Sequence, residues 1–224
     1  MKIHTKLFAL IITAALAFQV SASDGYGHGH GAKSYKVTLT NITKGISFTP
    51  FLAAIHNRHV NLFTLGEPVS DEVSRVAEGG DISGLQAVLD NSNAVHSTVS
   101  TDGLLMPGQS VELMIDSNRR NRRFSLISML LPTNDTVAAA QNVKLPKHGK
   151  VTYLVKAYDA GTETNDEYCA NIPGPHCGGA PFSPEDDGEG YAYPSPGIHG
   201  MADLSTEAYQ WNGPVVKVTI ERMY

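Results

Sequence analysis

The sequence predicts a mainly β protein, an antiparallel β-sandwich with a short helical insertion in its first third. Three observations predict it. From Val95 onward, apolar residues recur with a period of two in VHSTVST, QSVELMID, RFSLISMLLP, KVTYLVKAY and the final PVVKVTIERMY, as in half-buried strands. Turn chemistry separates these runs, as in Met106-Pro107-Gly108-Gln109 and Asp116-Ser117-Asn118. Helical spacing is confined to the residues before Val95, so the helices form an insertion and do not alternate with the strands.

The chain opens MKIHTKLFALIITAALAFQVSASDG, in which Lys2 and Lys6 precede an apolar run from Leu7 to Val20. That run is shorter than the roughly 20 residues that cross a bilayer, and Val20-Ser21-Ala22 sets small residues where a signal peptidase cuts. Residues 1–22 are therefore read as a signal peptide cleaved after Ala22, with a retained anchor as the alternative, and the mature protein as secreted or periplasmic. Cleavage removes Lys2 and Lys6, leaving 15 basic residues against 22 acidic ones, a net charge of −7 in place of −5. Nothing in that balance favours nucleic acid, whose phosphates demand a basic face. No later stretch is apolar enough to span a membrane.

Residues 23–34 are rich in glycine and carry His28 and His30; they read as a flexible tail, whose two histidines offer a weak transition-metal site as the alternative. Residues 35–224 suffice for one domain. Tyr35–Asn41 alternates and is β-branched, predicting the first strand. Thr49-Pro50 resembles an N-cap with proline at the first helical position, and Phe51, Leu52, Ile55, His59, Val60 and Phe63 follow at helical spacing, predicting a helix. His56 and His59 would then share a face, though without the glutamate of a zinc motif. Ser70-Asp71-Glu72-Val73 starts a second helix that Gly79-Gly80 stops, and Asp81 to Asp90 forms a third. Cys169 and Cys177, eight positions apart in an exported chain, are read as a disulfide; the alternative, a thiolate site with His176, lacks zinc-ligand spacing. Cys169 to Tyr209 is rich in Gly, Pro, Ser and acids and reads as loop.

Two acidic groups sit just past strand ends: Asp135 in Thr133-Asn134-Asp135-Thr136, and Asp159 with Glu163 in Tyr158-Asp159-Ala160-Gly161-Thr162-Glu163. If the strand tips share a rim, the three carboxylates can converge on a hard cation such as calcium, which takes 6–8 oxygen ligands; otherwise they are solvated loop acids. Gly161 permits the tight turn that returns residue 163 towards residue 159.

RRFSLISMLLPTNDTVAAAQNVKL, followed by YDAGTETND, resembles the spondin N-terminal domain family, the domain shared by F-spondin and mindin. The likeness extends to VSDEVSRVAEGGDISGL and to PVVKVTIERMY, and so covers roughly residues 35 to 224. It implies a calcium-binding β-sandwich with calcium held by Asp135, Asp159 and Glu163, and a non-catalytic adhesion or ligand-binding role. The implied partner is an extracellular or envelope protein or glycan. Two positions depart from the animal proteins: Glu163 replaces an aspartate, and Thr136 replaces a tryptophan. The thrombospondin repeats that accompany the domain there do not occur in these 224 residues, so their adhesive functions are not assumed.

Arg119, Arg120, Arg122 and Arg123 crowd one turn, either as a patch for an anionic ligand or as a solvated hairpin that discourages edge pairing. Glu185-Asp186-Asp187-Gly188-Glu189 lacks the alternating oxygen ligands of an EF-hand loop and reads as solvated, with a second calcium site as the alternative. Tyr191, Tyr193 and Trp211 form a recognition surface or pack the long loop. No nucleophile elbow, zinc-protease motif or phosphate loop appears. The competing functions are an exported metal-dependent hydrolase using His96, His148, His176 or His199 as base, and a transition-metal protein using the tail.

Overall fold

The computed structural model describes residues 32–182 and 188–223. The predicted signal peptide, nearly all of the predicted tail with His28 and His30, and Glu185 to Asp187 of the acidic loop lie outside the described residues. The elements in chain order are β1 (Lys33–Asn41), β2 (Ser47–Phe48), β3 (Leu52–His56), α1 (Asp71–Gly79), α2 (Ser83–Asp90), β4 (Val95–Ser100), β5 (Ser110–Ser117), β6 (Arg123–Leu131), β7 (Thr136–Lys144), β8 (Lys150–Asp159), β9 (Tyr193–Pro194), α3 (Thr206–Tyr209) and β10 (Val216–Arg222).

The protein is mainly β and antiparallel, as predicted. The strands form one ten-stranded sheet in the order β4-β3-β6-β7-β8-β10-β1-β5, with β2 pairing β6 and β9 pairing β8. Strand β8 joins its two halves. Residues Lys156 to Asp159 pair with Ala139 to Thr136 of β7, while Lys150 to Val155 pair with Glu221 to Val216 of β10. Folded about β8, the two halves pack face to face, and the end strands meet where Ser97 Oγ donates to the Asp116 carbonyl at 2.7 Å. The result is close to a flattened barrel, with the sandwich halves belonging to one sheet.

Alternation dictates the inner face. Tyr35, Val37 and Leu39 of β1, Leu113 and Ile115 of β5, and Val216, Val218 and Ile220 of β10 point inward and meet Ala53, Ile55, Phe124 and Leu126 from the other half. Helices α1 and α2 cover the outer face of β3, β6 and β7, where Val73, Val76, Leu85 and Leu89 pack on Leu52, Ala54, Ile127 and Val137. Ser70 caps α1 by accepting the Val73 N–H at 3.4 Å, and Gly80 closes it at φ +67°, a conformation that favours glycine.

The predicted helix from Phe51 to Phe63 is not formed; Leu52–His56 is strand β3. All five of its residues are buried, because β3 lies between β4 and β6 with the core on one face and the helices on the other. A strand buried on both faces shows no polar alternation, and its apolar run mimics helical spacing. The shared helix face proposed for His56 and His59 is therefore absent: His56 is buried on β3, and His59 is exposed in the loop after it. Strand β7 was not predicted, and β1 begins two residues ahead of the expected Tyr35. The long loop carries a 3₁₀ turn at Cys169–Asn171 together with β9 and α3, and Cys169 and Cys177 are joined in a disulfide.

Candidate metal centre

The antiparallel register places Thr136 of β7 opposite Asp159 of β8, so the turn before β7 and the turn after β8 share one rim. Thr133 Oγ1 donates to the Leu130 carbonyl at 2.7 Å and accepts the Thr136 N–H at 3.2 Å, closing the turn that carries Asp135. After β8 the chain turns back at Gly161, whose φ is +68° and whose N–H donates to Asp159 Oδ1 at 2.9 Å. A Cβ at Gly161 would lie 2.3 Å from the Tyr191 carbonyl oxygen, so this position requires glycine for its conformation and for its space.

Asp135 stitches the two turns together. Its Oδ2 accepts the backbone N–H groups of Thr162 at 2.7 Å and Glu163 at 3.1 Å, and its carbonyl accepts the Ala160 N–H at 3.2 Å. Its Oδ1 is buried without a hydrogen-bond partner. Asp135, Asp159 and Glu163 are all buried, at 0%, 0% and 1% exposure. The three residues predicted from sequence are thus gathered at one rim.

The electrostatics are unfavourable for carboxylates without a cation. Burial, then the charge of Asp159 and, more weakly, that of Glu189, pushes the Asp135 carboxyl well above the ordinary carboxylate range, against the pull of the two N–H donors. Burial likewise raises Asp159, opposed by hydrogen bonds from Asn165 and Gly161. Tyr193 is raised beyond its ordinary range by burial and by the charges of Asp159 and Glu189. A buried acceptor oxygen with no donor, among carboxylates that repel one another, fits a hard divalent cation such as calcium. Among the described residues, the group of metal-ligating side chains whose donor atoms all lie within 4.8 Å of one another is Cys169, His176 and Cys177, and the disulfide occupies its two sulfurs. The Asp135, Asp159 and Glu163 carboxylates are not such a group in this structure.

Three contributors were not assigned to this site from sequence. Asn165 Nδ2 donates to Asp159 Oδ2 at 2.9 Å and to the Tyr193 hydroxyl at 3.1 Å. Glu189, exposed at the surface, acts on both aspartates, because its loop folds over the rim: the Gly190 N–H donates to the Gly161 carbonyl at 2.8 Å. Glu189 belongs to the acidic segment considered for a second calcium; of that segment the described residues are Gly188 and Glu189, and Gly188 lies against Gly161 of the rim. An amide in the Thr-rich loop after β8 was the one available signal for Asn165.

The remaining candidates lie elsewhere. Arg119, Arg120 and Arg122 are exposed in the β5–β6 turn and Arg123 is the first residue of β6, at the opposite end of that strand from Asp135. His96 accompanies the Asn118 amide at 3.1 Å, and His176 the Tyr209 hydroxyl at 2.9 Å. Trp211 packs against both the main core and the small cluster of Ile172, Ile198 and Leu204, favouring the packing role over recognition.

A family model described as Spondin_N matches residues 32–173 of the chain. No curated protein sequence matches it.

Proposed function

This chain belongs to the spondin N-terminal domain family, and from that premise we propose that it is an exported, non-catalytic binding module whose rim is set by a calcium ion held by Asp135, Asp159 and Glu163. The family is one of non-enzymatic modules. Among the described residues no helix is long and apolar enough to cross a membrane.

The observation that carries the reading is Asp135 Oδ1, buried without a hydrogen-bond partner beside a second buried aspartate. Calcium would supply charge neutralisation there. Asp135 would remain anchored through Oδ2 to the Thr162 and Glu163 N–H groups while offering Oδ1; Asp159, oriented by Gly161 and Asn165, would contribute the second carboxylate. Bound only by the folded form, the ion would stabilise it by mass action and fix the loops of residues 132–135, 160–165 and 188–193 as a presenting surface. The partner of that surface is an extracellular or envelope protein or glycan, consistent with adhesion.

Calorimetric titration of calcium into the chelator-treated protein tests the site. The reading expects one saturable event that Asp135→Asn and Asp159→Asn each abolish; absence of a calcium heat in the parent protein overturns it.

A further inference from the structure

The strand register collects basic residues at the pole opposite the aspartates. Lys33 faces the end of β5, Arg123 pairs with Lys144, Lys150 pairs with Glu221, and Arg222 pairs with Tyr35. Two loops meet at this pole, residues 57–59 after β3 and the β5–β6 turn. They enclose a cleft of about 400 Å³ lined by Asn57, Arg58, His59, Arg120, Arg122 and Arg123, with no acidic side chain in its wall.

Both loops are shaped by asparagine. Asn118 Oδ1 accepts the backbone N–H groups of Arg120 and Asn121, each at 2.8 Å, and Asn57 Oδ1 accepts that of His59 at 2.8 Å. Arg123 is fixed by donating Nη1 to the Asn142 carbonyl at 3.1 Å, and Asn142 in turn donates Nδ2 to the Val60 carbonyl and to Asn61 Oδ1 at 2.9 and 2.7 Å. The back wall is thereby tied to the loop that supplies Arg58. Arg58, Arg120 and Arg122 stay exposed. Among the described residues, ion pairs join Lys36 to Glu112 and Arg75 to Asp81, and none reaches a cleft arginine. The neighbouring Lys33 ammonium is held below its ordinary value, chiefly by Arg222, then by desolvation, then by Arg122 and Arg119. Arg222, Arg122 and Arg119 thus act on Lys33 as neighbouring positive charges, and this pole is basic on a chain that is acidic overall.

We propose that this cleft binds sulfate or phosphate ester groups of an acidic polysaccharide, with Arg58, Arg120 and Arg122 gripping the tetrahedral oxyanions and Arg123 forming the fixed wall. Guanidinium forks match such oxyanions with paired hydrogen bonds. The volume suits one or two charged sugars, whereas duplex nucleic acid would spread over the whole basic pole and not seat in the cleft, a difference that the duplex arm of the test reads. The site is separate from the aspartate rim and does not rest on calcium.

The test is calorimetric binding of dextran sulfate, phosphorylated dextran, unmodified dextran and a short DNA duplex to the full chain, in calcium and in chelator. The two sulfated and phosphorylated arms identify the ester. At least one charged dextran is expected to bind equally with and without calcium, and unmodified dextran not at all. The triple variant Arg58→Ala/Arg120→Ala/Arg122→Ala, whose fold is checked by near-ultraviolet circular dichroism, is expected to bind at least about tenfold more weakly. A control that removes charge elsewhere, Lys156→Ala/Lys217→Ala, is expected to bind like the parent. The proposal is overturned if neither charged dextran binds, if the triple variant binds unchanged, if the control loses as much affinity, or if the duplex binds as tightly as the charged dextrans.

Discussion

The backbone N–H of Thr162 donates to Asp135 Oδ2 at 2.7 Å, across 27 positions of sequence, and this bond makes the turns before β7 and after β8 one unit. The same carboxylate that organises the rim is the one whose second oxygen lacks a protein donor. Its structural duty and its affinity for a cation are therefore separable by substitution.

Asp135→Asn retains an oxygen for the Thr162 and Glu163 N–H groups and removes the repulsion with Asp159. In chelator at neutral pH this variant is expected to be at least as stable as the parent; with saturating calcium it is expected to be less stable. Urea melts under the two conditions check the crossover, and a variant weaker in both would mean that Asp135 acts only as a backbone staple.

Because Asp135 and Asp159 are raised in the folded state, their stabilising contribution is fully present below the unfolded value of 3.8 and is lost as pH rises through the folded values. In chelator the parent is thus expected to lose stability relative to Asp135→Asn as pH rises from acid to neutral. Calcium is expected to cancel that loss at neutral pH and to act less as protons compete. Melts between pH 4 and 7.5 measure both effects.

His56 has the opposite sign. Its Nδ1–H donates to the Asn57 carbonyl at 2.6 Å and its Nε2 accepts the Ser125 hydroxyl at 2.7 Å, a neutral ring with both nitrogens used. Burial lowers its value below 6.5, so its contribution is full above 6.5 and is lost as pH falls through the folded value. The stability advantage of the parent over His56→Gln is expected to shrink on acidification below about 6.5. An advantage independent of pH would show that the ring does not titrate in the linked unfolding step.

Gly161→Ala forces a side chain into a left-handed conformation and against the Tyr191 carbonyl. A loss of about 1–3 kcal/mol is expected, together with a weakened calcium response, since the turn carrying Glu163 must shift. Denaturant melts in chelator and in calcium read the two effects.

Cys169 and Cys177 close a short loop over Ile172, Ile198 and Leu204. Replacing both by serine is expected to cost about 2–3 kcal/mol and to leave calcium binding unchanged, because the loop is a satellite of the main core. Loss of calcium binding in that variant would place the disulfide within the rim's support.

Strands with one wet face were legible in the sequence. β1, β5 and β10 alternate in burial along their length, and their apolar residues recur every second position. Strands β3 and β7 escaped, since Leu52–His56 and the Thr136–Ala140 half of β7 are buried on both faces and the alanines of β7 carry little strand preference. Asp135, Asp159 and Glu163 were legible because each lies within five residues of a predicted strand end. Glu189, Asn165 and Tyr193 were not, because they reach the rim through loop returns that no periodicity encodes. The arginine turn was visible as a cluster, but its union with Arg58 depends on β3 being a strand whose end abuts β6.

The most direct test of the calcium-held rim is the thermal midpoint of the full chain in excess calcium against excess chelator at pH 7.5. At calcium a hundredfold above the dissociation constant, the stabilisation is about 2.7 kcal/mol, a rise of roughly 5–10 °C for a domain of this size. The rise is predicted for the parent and its absence for Asp135→Asn/Asp159→Asn. Identical midpoints for the parent in calcium and in chelator would contradict the account.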